Sequence, residues 1–92
     1  MTLQQIRYVT MIAQAGSMNE AAKKLFISQP SLSGAIKELE KEVGIIIFSR
    51  TSKGVVLTAE GEEFLGYARQ ILNQVELLEE KYLEGNKIIQ TW

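Results

Sequence analysis

SMNEAAKKLFISQPSLSGAIKELEKEVG, residues 17–44, is the stretch whose reading decides the fold. It reads as two helices around a tight turn, each with its own start signal. Ser17 and Glu20 have the spacing of a capping box, S-x-x-E, in which the serine caps the helix and the glutamate returns the bond. This first helix is short and carries Ala21, Ala22 and Leu25 inward. Phe26 and Ile27 fill the turn. Ser28 stands as the cap of the next helix, with Pro30 in its first turn, where a missing N–H costs nothing. Leu32, Ile36, Leu39 and Val43 then recur at steps of four, three and four, which makes one buried face. Gly44 sits where a left-handed C-terminal residue is wanted. Two short helices joined by so small a turn predict a helix-turn-helix.

The side of the second helix facing away from that core carries the chemistry. At about 100° per residue, Pro30, Gly34, Lys37 and Lys41 lie nearly opposite the apolar face. Ser28, Gln29, Ser31 and Ser33 crowd its N-terminal end. Small hydroxyls, an amide and free backbone N–H groups at a helix start can enter a DNA major groove and bond to phosphates and base edges. The alternative is the solvated face of a small helical bundle, and this segment alone leaves both open.

Composition narrows the field. Ninety-two residues make one domain, or one domain plus an extended element. A 46% hydrophobic share is ordinary for a globular chain and argues against disorder. The chain has neither cysteine nor histidine. That removes disulfides, thiol chemistry, the usual zinc ligands and the commonest general base, so no metal site and no cofactor are expected. A cysteine-free chain also suits a reducing cytoplasm. Carboxylates are plentiful but fall on solvated helix faces. Without a nucleophile–base pair or a phosphate-cradling glycine loop, no catalytic residue is expected and enzymatic activity ranks last. The longest fully apolar run, Ile45 to Phe48, is far too short to cross a bilayer. No secretory signal is expected before the first helix, and no internal repeat or low-complexity tract is evident.

The net charge of −1 conceals a division. Residues 1–58 hold seven basic groups (Arg7, Lys23, Lys24, Lys37, Lys41, Arg50, Lys53) against four acidic ones (Glu20, Glu38, Glu40, Glu42), a net +3. Residues 59–92 hold three basic groups (Arg69, Lys81, Lys87) against seven glutamates, a net −4. A basic half joined to an acidic half suggests that one half touches phosphate and the other does not.

Outside the central stretch, Thr2 and Gln5 repeat the capping-box pattern and open a first helix. Leu3, Ile6, Val9, Ile12 and Ala13 recur along it, with Gly16 as its stop. Tyr8 and Met11 lie off that stripe and are free to pack on another element. This helix reads as a scaffold behind the helix pair rather than as a DNA contact. After Gly44, the β-prone run Ile45–Phe48, polar Ser49–Gly54 and the run Val55–Leu57 predict a hairpin, or wing. Arg50 and Lys53 flank its tip, placed to lie along phosphates or enter a narrow minor groove. A polar, charged β-turn with no partner is the alternative.

Thr58 is the expected cap of a last helix over residues 59–85, ended by Gly85 and Asn86, with residues 86–92 as a tail. Glu60, Glu62 and Glu63 suit the positive end of its dipole. Phe64, Ala68, Ile71, Val75, Leu78 and Tyr82 step by four and three, a heptad seam, and Leu65, Leu72 and Leu77 widen it. A helix of about 27 residues reaches about 40 Å, further than the compact part covers. Such a seam left in water is a large apolar patch. It predicts pairing with a second copy, against the alternative of folding back on its own domain.

The quoted residues resemble a known family. A-A-x-x-L, S-Q-P-S-L-S and L-E-x-E-x-G, then F-x-R and L-T-x-x-G, are similar in order and spacing to the N-terminal domain of the LysR-type transcriptional regulators of bacteria, over residues 1 to about 85. The resemblance implies a mainly α fold: a winged helix-turn-helix over residues 1–58, three helices plus a two-stranded wing, followed by a long linker helix that dimerises. It implies a homodimer in the cytoplasm, off the membrane, on A/T-rich inverted repeats of double-stranded DNA. Full-length members continue into a domain that senses a small co-inducer; on this resemblance the chain corresponds to a fragment or a truncated member. Carried over by position, Ser28, Gln29, Pro30 and Ser33 meet DNA from the recognition helix, Lys37 contacts phosphate, and Arg50 and Thr51 match wing contacts. Gly34 departs from the family, which frequently has Arg or Lys there; a mid-helix glycine costs about 1 kcal/mol relative to alanine. Close backbone approach or reliance on DNA shape are both open for it. A dimerisation or adaptor module that has lost DNA binding is the alternative function, motivated by Gly34 and the weak net charge.

Overall fold

The computed structural model describes residues 1–89, with side chains to residue 83. Its elements are α1 (Leu3–Ala15), α2 (Met18–Leu25), α3 (Gln29–Val43), β1 (Phe48–Thr51), β2 (Gly54–Leu57) and α4 (Ala59–Ile89). The helix boundaries fall on the side chains able to make them. Thr2 and Gln5 form the full capping box, each side chain bonding the other's backbone N–H. Ser28 Oγ accepts the Ser31 N–H at 3.2 Å. Gly16 and Gly44 adopt the left-handed conformation that closes α1 and α3.

Half of the Ser17 box forms. Ser17 Oγ accepts the Glu20 N–H at 3.3 Å, while the Glu20 carboxylate turns to Lys23 Nζ at 3.7 Å. Phe26 also departs from expectation. It caps α2 in the left-handed region, φ 59° and ψ 39°, and its ring stands 95% exposed rather than filling the turn. Only Ile27 of that pair packs on the core.

Val9, Ile12, Ala21, Ala22, Leu32, Ile36, Leu39, Ile47, Phe48 and Leu65 make one core cluster. The periodic faces of α1, α2 and α3 therefore meet as expected, and Tyr8 and Met11 pack against the cluster from its edge. Leu3 does not join; it is exposed at the start of α1. Helix α1 touches α2, α3, α4 and β2, the scaffold position that its apolar stripe predicts.

The hairpin is shorter and later than expected. Its register pairs Phe48 with Leu57, Ser49 with Val56, Arg50 with Val55 and Thr51 with Gly54. Polar Ser49, Arg50 and Thr51 are thus strand residues, and the turn is Ser52-Lys53 alone. Ile45 to Ile47 lie before the strand because α3 captures the chain there: the Glu40 carboxylate accepts the Ile47 N–H at 2.7 Å and the Phe48 N–H at 3.2 Å. Ile47 is consequently buried and Ile46 exposed. The far end of the hairpin is tied to the α1–α2 junction by the Val55 N–H bonding the Gly16 carbonyl at 3.2 Å. A Cβ on Gly54 would strike that same carbonyl, so the strand can approach only as glycine.

Helix α4 is longer than the expected 59–85. It continues through Gly85 and Asn86 to Ile89, so part of the expected tail is helical, and residues 90–92 lie outside the described residues. A lone glycine costs a helix about 1 kcal/mol and does not by itself stop one. Thirty-one residues make a rod of about 46 Å, which accounts for the 54 × 25 × 20 Å extents of the chain.

Candidate nucleic-acid interface

The N-terminal end of α3 is built by its own cap. Ser28 and Ser31 engage each other, the Ser28 hydroxyl donating to Ser31 Oγ at 2.8 Å. With those hydroxyls paired, Gln29 and Pro30 are left to face outward. Gln29 borders an open groove of about 270 Å³ whose other walls are Ser17, Met18 and Asn19 of the α2 start and Arg50, Thr51, Ser52, Gly54 and Val55 of the hairpin. Three separate stretches of sequence therefore converge on one polar cleft.

Arg50 is not at the hairpin tip. It lies on β1, and its guanidinium Nη2 donates to Ser33 Oγ at 3.3 Å, binding the strand to α3. It also borders a second recess of about 190 Å³ that Ser33, Lys37 and Glu40 line from α3. Lys53 alone occupies the tip, where the Thr51 hydroxyl takes its N–H at 3.3 Å and donates to the Gly54 carbonyl at 3.2 Å. Among the described residues Lys37, Arg50 and Lys53 have no carboxylate partner within ion-pair distance; the pairs present are Lys23–Glu20 and the Met1 amine with Glu42. Lys37 and Arg50 border the same recess between α3 and the hairpin.

Gly34 is exposed on α3, and a Cβ added there meets nothing within 4 Å. The position has room for a larger residue, so the glycine is no steric requirement of the fold. Gly34→Ala is expected to stabilise the domain by about 1 kcal/mol through helix propensity alone, raising the thermal midpoint by about 5 °C. A midpoint that falls on melting the variant would reveal a packing role that the free chain does not display.

Most apolar residues of α4 fall on two stripes, while Leu77, expected to widen the seam, is exposed and lies on neither. Gly61, Leu65 and Ala68 are buried, with Leu72 next to them half-covered, and this stripe faces the protomer's own domain across α1. Tyr67, Ile71, Leu78 and Tyr82 are exposed on the adjacent stripe, with Phe64 and Val75 half-buried between the two. Ala68, expected in the pairing seam, is 2% exposed and already used internally. The remaining seam residues are open or partly open to solvent.

A family model for the bacterial regulatory helix-turn-helix proteins of the lysR family matches residues 3–62. The chain belongs to the LysR family. It is 44% identical over 90 residues to the Hca operon transcriptional activator HcaR of Escherichia coli K12, an alignment covering 98% of this chain and 29% of that protein. The LysR chain also superposes on solved structures. These include a CbnR DNA-binding domain in complex with DNA, at TM-score 0.84 and 34% identity over 94% of this chain and 99% of that one. A BenM DNA-binding domain with benA site 1 DNA gives TM-score 0.83 and 37% identity, covering 98% and 97%. The chain spans between 23% and 33% of the length of curated relatives such as HcaR. No described helix of this LysR chain is long and apolar enough to cross a membrane.

Sequence reading did not place Ser17, Asn19 and Ser52 at the cleft. Ser17 was visible as a helix start, and helix starts present free N–H groups; that signal pointed to the place, but nothing local tells which starts converge.

Proposed function

We propose that this LysR-family domain binds double-stranded DNA sequence-specifically as part of a transcription regulator, acting as a homodimer on an A/T-rich inverted repeat. What carries the reading is the convergence of Gln29 and Ser33 on α3 with Arg50 and Thr51 of the hairpin, which line one cleft or bond across it. Helix α3 enters the major groove by its N-terminal end, with Gln29 reading a base edge and Ser28, Ser31 and Gly34 near the groove wall. Lys37 and Arg50 take phosphates, and the tip, Lys53 above all, follows the backbone toward the minor groove. Likeness to the CbnR and BenM domains, both solved in complex with DNA, supports DNA binding by this fold.

The exposed stripe of Tyr67, Ile71, Leu78 and Tyr82, bordered by Phe64, Leu72 and Val75, is assigned to pairing with a second α4. One dimer then sets two heads about one DNA turn apart, or a multiple of it. The reading places the protein in the cytoplasm with its DNA and gives it no catalytic role, in keeping with relatives named as transcriptional regulators. A small-molecule co-inducer belongs to a longer form carrying a further domain.

The test begins with selection of bound sequences from a random duplex pool. Gln29→Ala is then expected to weaken binding to the selected site by about 1–3 kcal/mol while leaving random duplex nearly unchanged, measured by titration at fixed salt. Equal losses on both duplexes would remove Gln29 from base reading. No binding to any duplex at micromolar protein and low salt would overturn the reading itself.

A further inference from the structure

The turn between α2 and α3 holds an arrangement that the assigned contacts do not use. Phe26 is 95% exposed, more than any other large apolar side chain among the described residues. It is also the one described non-glycine residue with positive φ, at 59°. Glycine or asparagine fits that backbone with less strain, and either removes a ring from water. The position is well held: the Phe26 N–H bonds the Lys23 carbonyl at 3.2 Å and the next N–H, of Ile27, bonds the Ala22 carbonyl at 3.1 Å. The ring therefore projects from a fixed point two residues ahead of the Ser28 cap, with exposed Lys24 two residues before it in the chain. Strain at a rigid, exposed site is the pattern of a residue kept for contact rather than for folding.

We propose that Phe26 is a DNA-contacting residue, packing its ring on the deoxyribose C–H faces of the backbone that borders the groove entered by α3. The inference rests on the DNA-binding reading above. If the N-terminal end of α3 goes into the groove, the turn immediately before it lies at the groove's mouth, where sugar and phosphate alternate. A phenyl ring has nothing to offer a phosphate oxygen, but it covers the apolar sugar between two of them. Lys24, two residues before it, takes the charge. Such a contact is independent of sequence, unlike that of Gln29.

The experiment compares Phe26→Asn and Phe26→Gly with the wild-type chain by titration on the selected duplex and on random duplex across a salt series. Both variants suit the left-handed backbone, so thermal midpoints are expected to stay level or rise. Affinity is expected to fall roughly fivefold on both duplexes alike, the effect of losing part of one ring's burial. The salt slope stays unchanged because no ion is released by the lost contact, and Phe26→Tyr retains wild-type affinity. Unchanged affinity in both variants overturns the proposal, as does a loss confined to the selected duplex. A loss of dimer on sedimentation overturns it by assigning the ring to a protein contact. If the wild-type chain binds neither duplex, the DNA-binding reading falls as well; if it binds and the variants match it, only the role of Phe26 falls.

Discussion

Replacing Leu78 by glutamate is expected to turn the proposed dimer into monomers and to lower affinity for an inverted repeat by at least about 100-fold. Leu78 is 58% exposed in the single chain and lies well beyond the last α4 residue of the core cluster, Leu65. It sits in the middle of the stripe that includes Tyr67, Ile71 and Tyr82. In a two-fold pairing the substitution appears twice, so two carboxylates enter one apolar seam, where an unpaired charge is strongly disfavoured. Splitting the dimer makes the second head's binding bimolecular again, and linked binding is typically worth a factor of about 10²–10⁴. The head itself should be untouched, because Leu78 contributes nothing to the core; its thermal midpoint, measured at low concentration, should barely move. Sedimentation velocity and titration on full and half sites check both parts. A dimer that survives the change, or a monomer that binds the full repeat undiminished, refutes the assignment of this stripe.

Gly61→Ala should cost the fold about 3 kcal/mol, or a drop of roughly 15 °C in thermal midpoint. A Cβ at position 61 would run into the Ile47 carbonyl, a backbone atom rather than a movable side-chain tip. That carbonyl cannot yield easily, since it accepts the Thr58 N–H at 3.0 Å. Thr58 Oγ1 in turn accepts the Gly61 N–H at 2.9 Å and donates to the Ile46 carbonyl. Helix α4 would have to lift from the entry to β1, and Leu65 would leave the core with it. Gly66 is the control: it lies one turn on, exposed, with nothing within 4 Å of an added Cβ. Gly66→Ala should stabilise by about 1 kcal/mol through propensity. Equal effects at the two positions, read by calorimetry, would contradict the close approach.

The cleft itself was half legible. Ser28, Gln29 and Pro30 announced a helix start with polar residues at its tip, and Lys53 a polar turn. Arg50 was read as a neighbour of that tip, whereas it pairs with Val55 on a strand and reaches Ser33 on α3. The error came from the run Ile45–Phe48, whose β propensity suggested an earlier strand. A single carboxylate, Glu40, overrode that propensity by taking two of its amides. Propensity is a local average, and two bonds from a neighbouring helix at the right place outweigh it.

Helix starts, the stops of α1 and α3 and the apolar faces of α1, α2 and α3 were determined by the sequence alone, because they depend on side chains within four residues of one another. The left-handed stops at Gly16 and Gly44, the caps at Thr2 and Ser28, and the inward Leu32, Ile36 and Leu39 are all of this kind. Tertiary structure alone decided how the apolar residues of α4 are shared. The 3.6-residue turn spreads them over two adjacent stripes, and periodicity does not say which stripe meets α1. The crossing of α4 over α1, set by the approach of Gly61 to Ile47 and by Leu65 entering the core, draws Ala68 inward and leaves Ile71, Leu78 and Tyr82 in water.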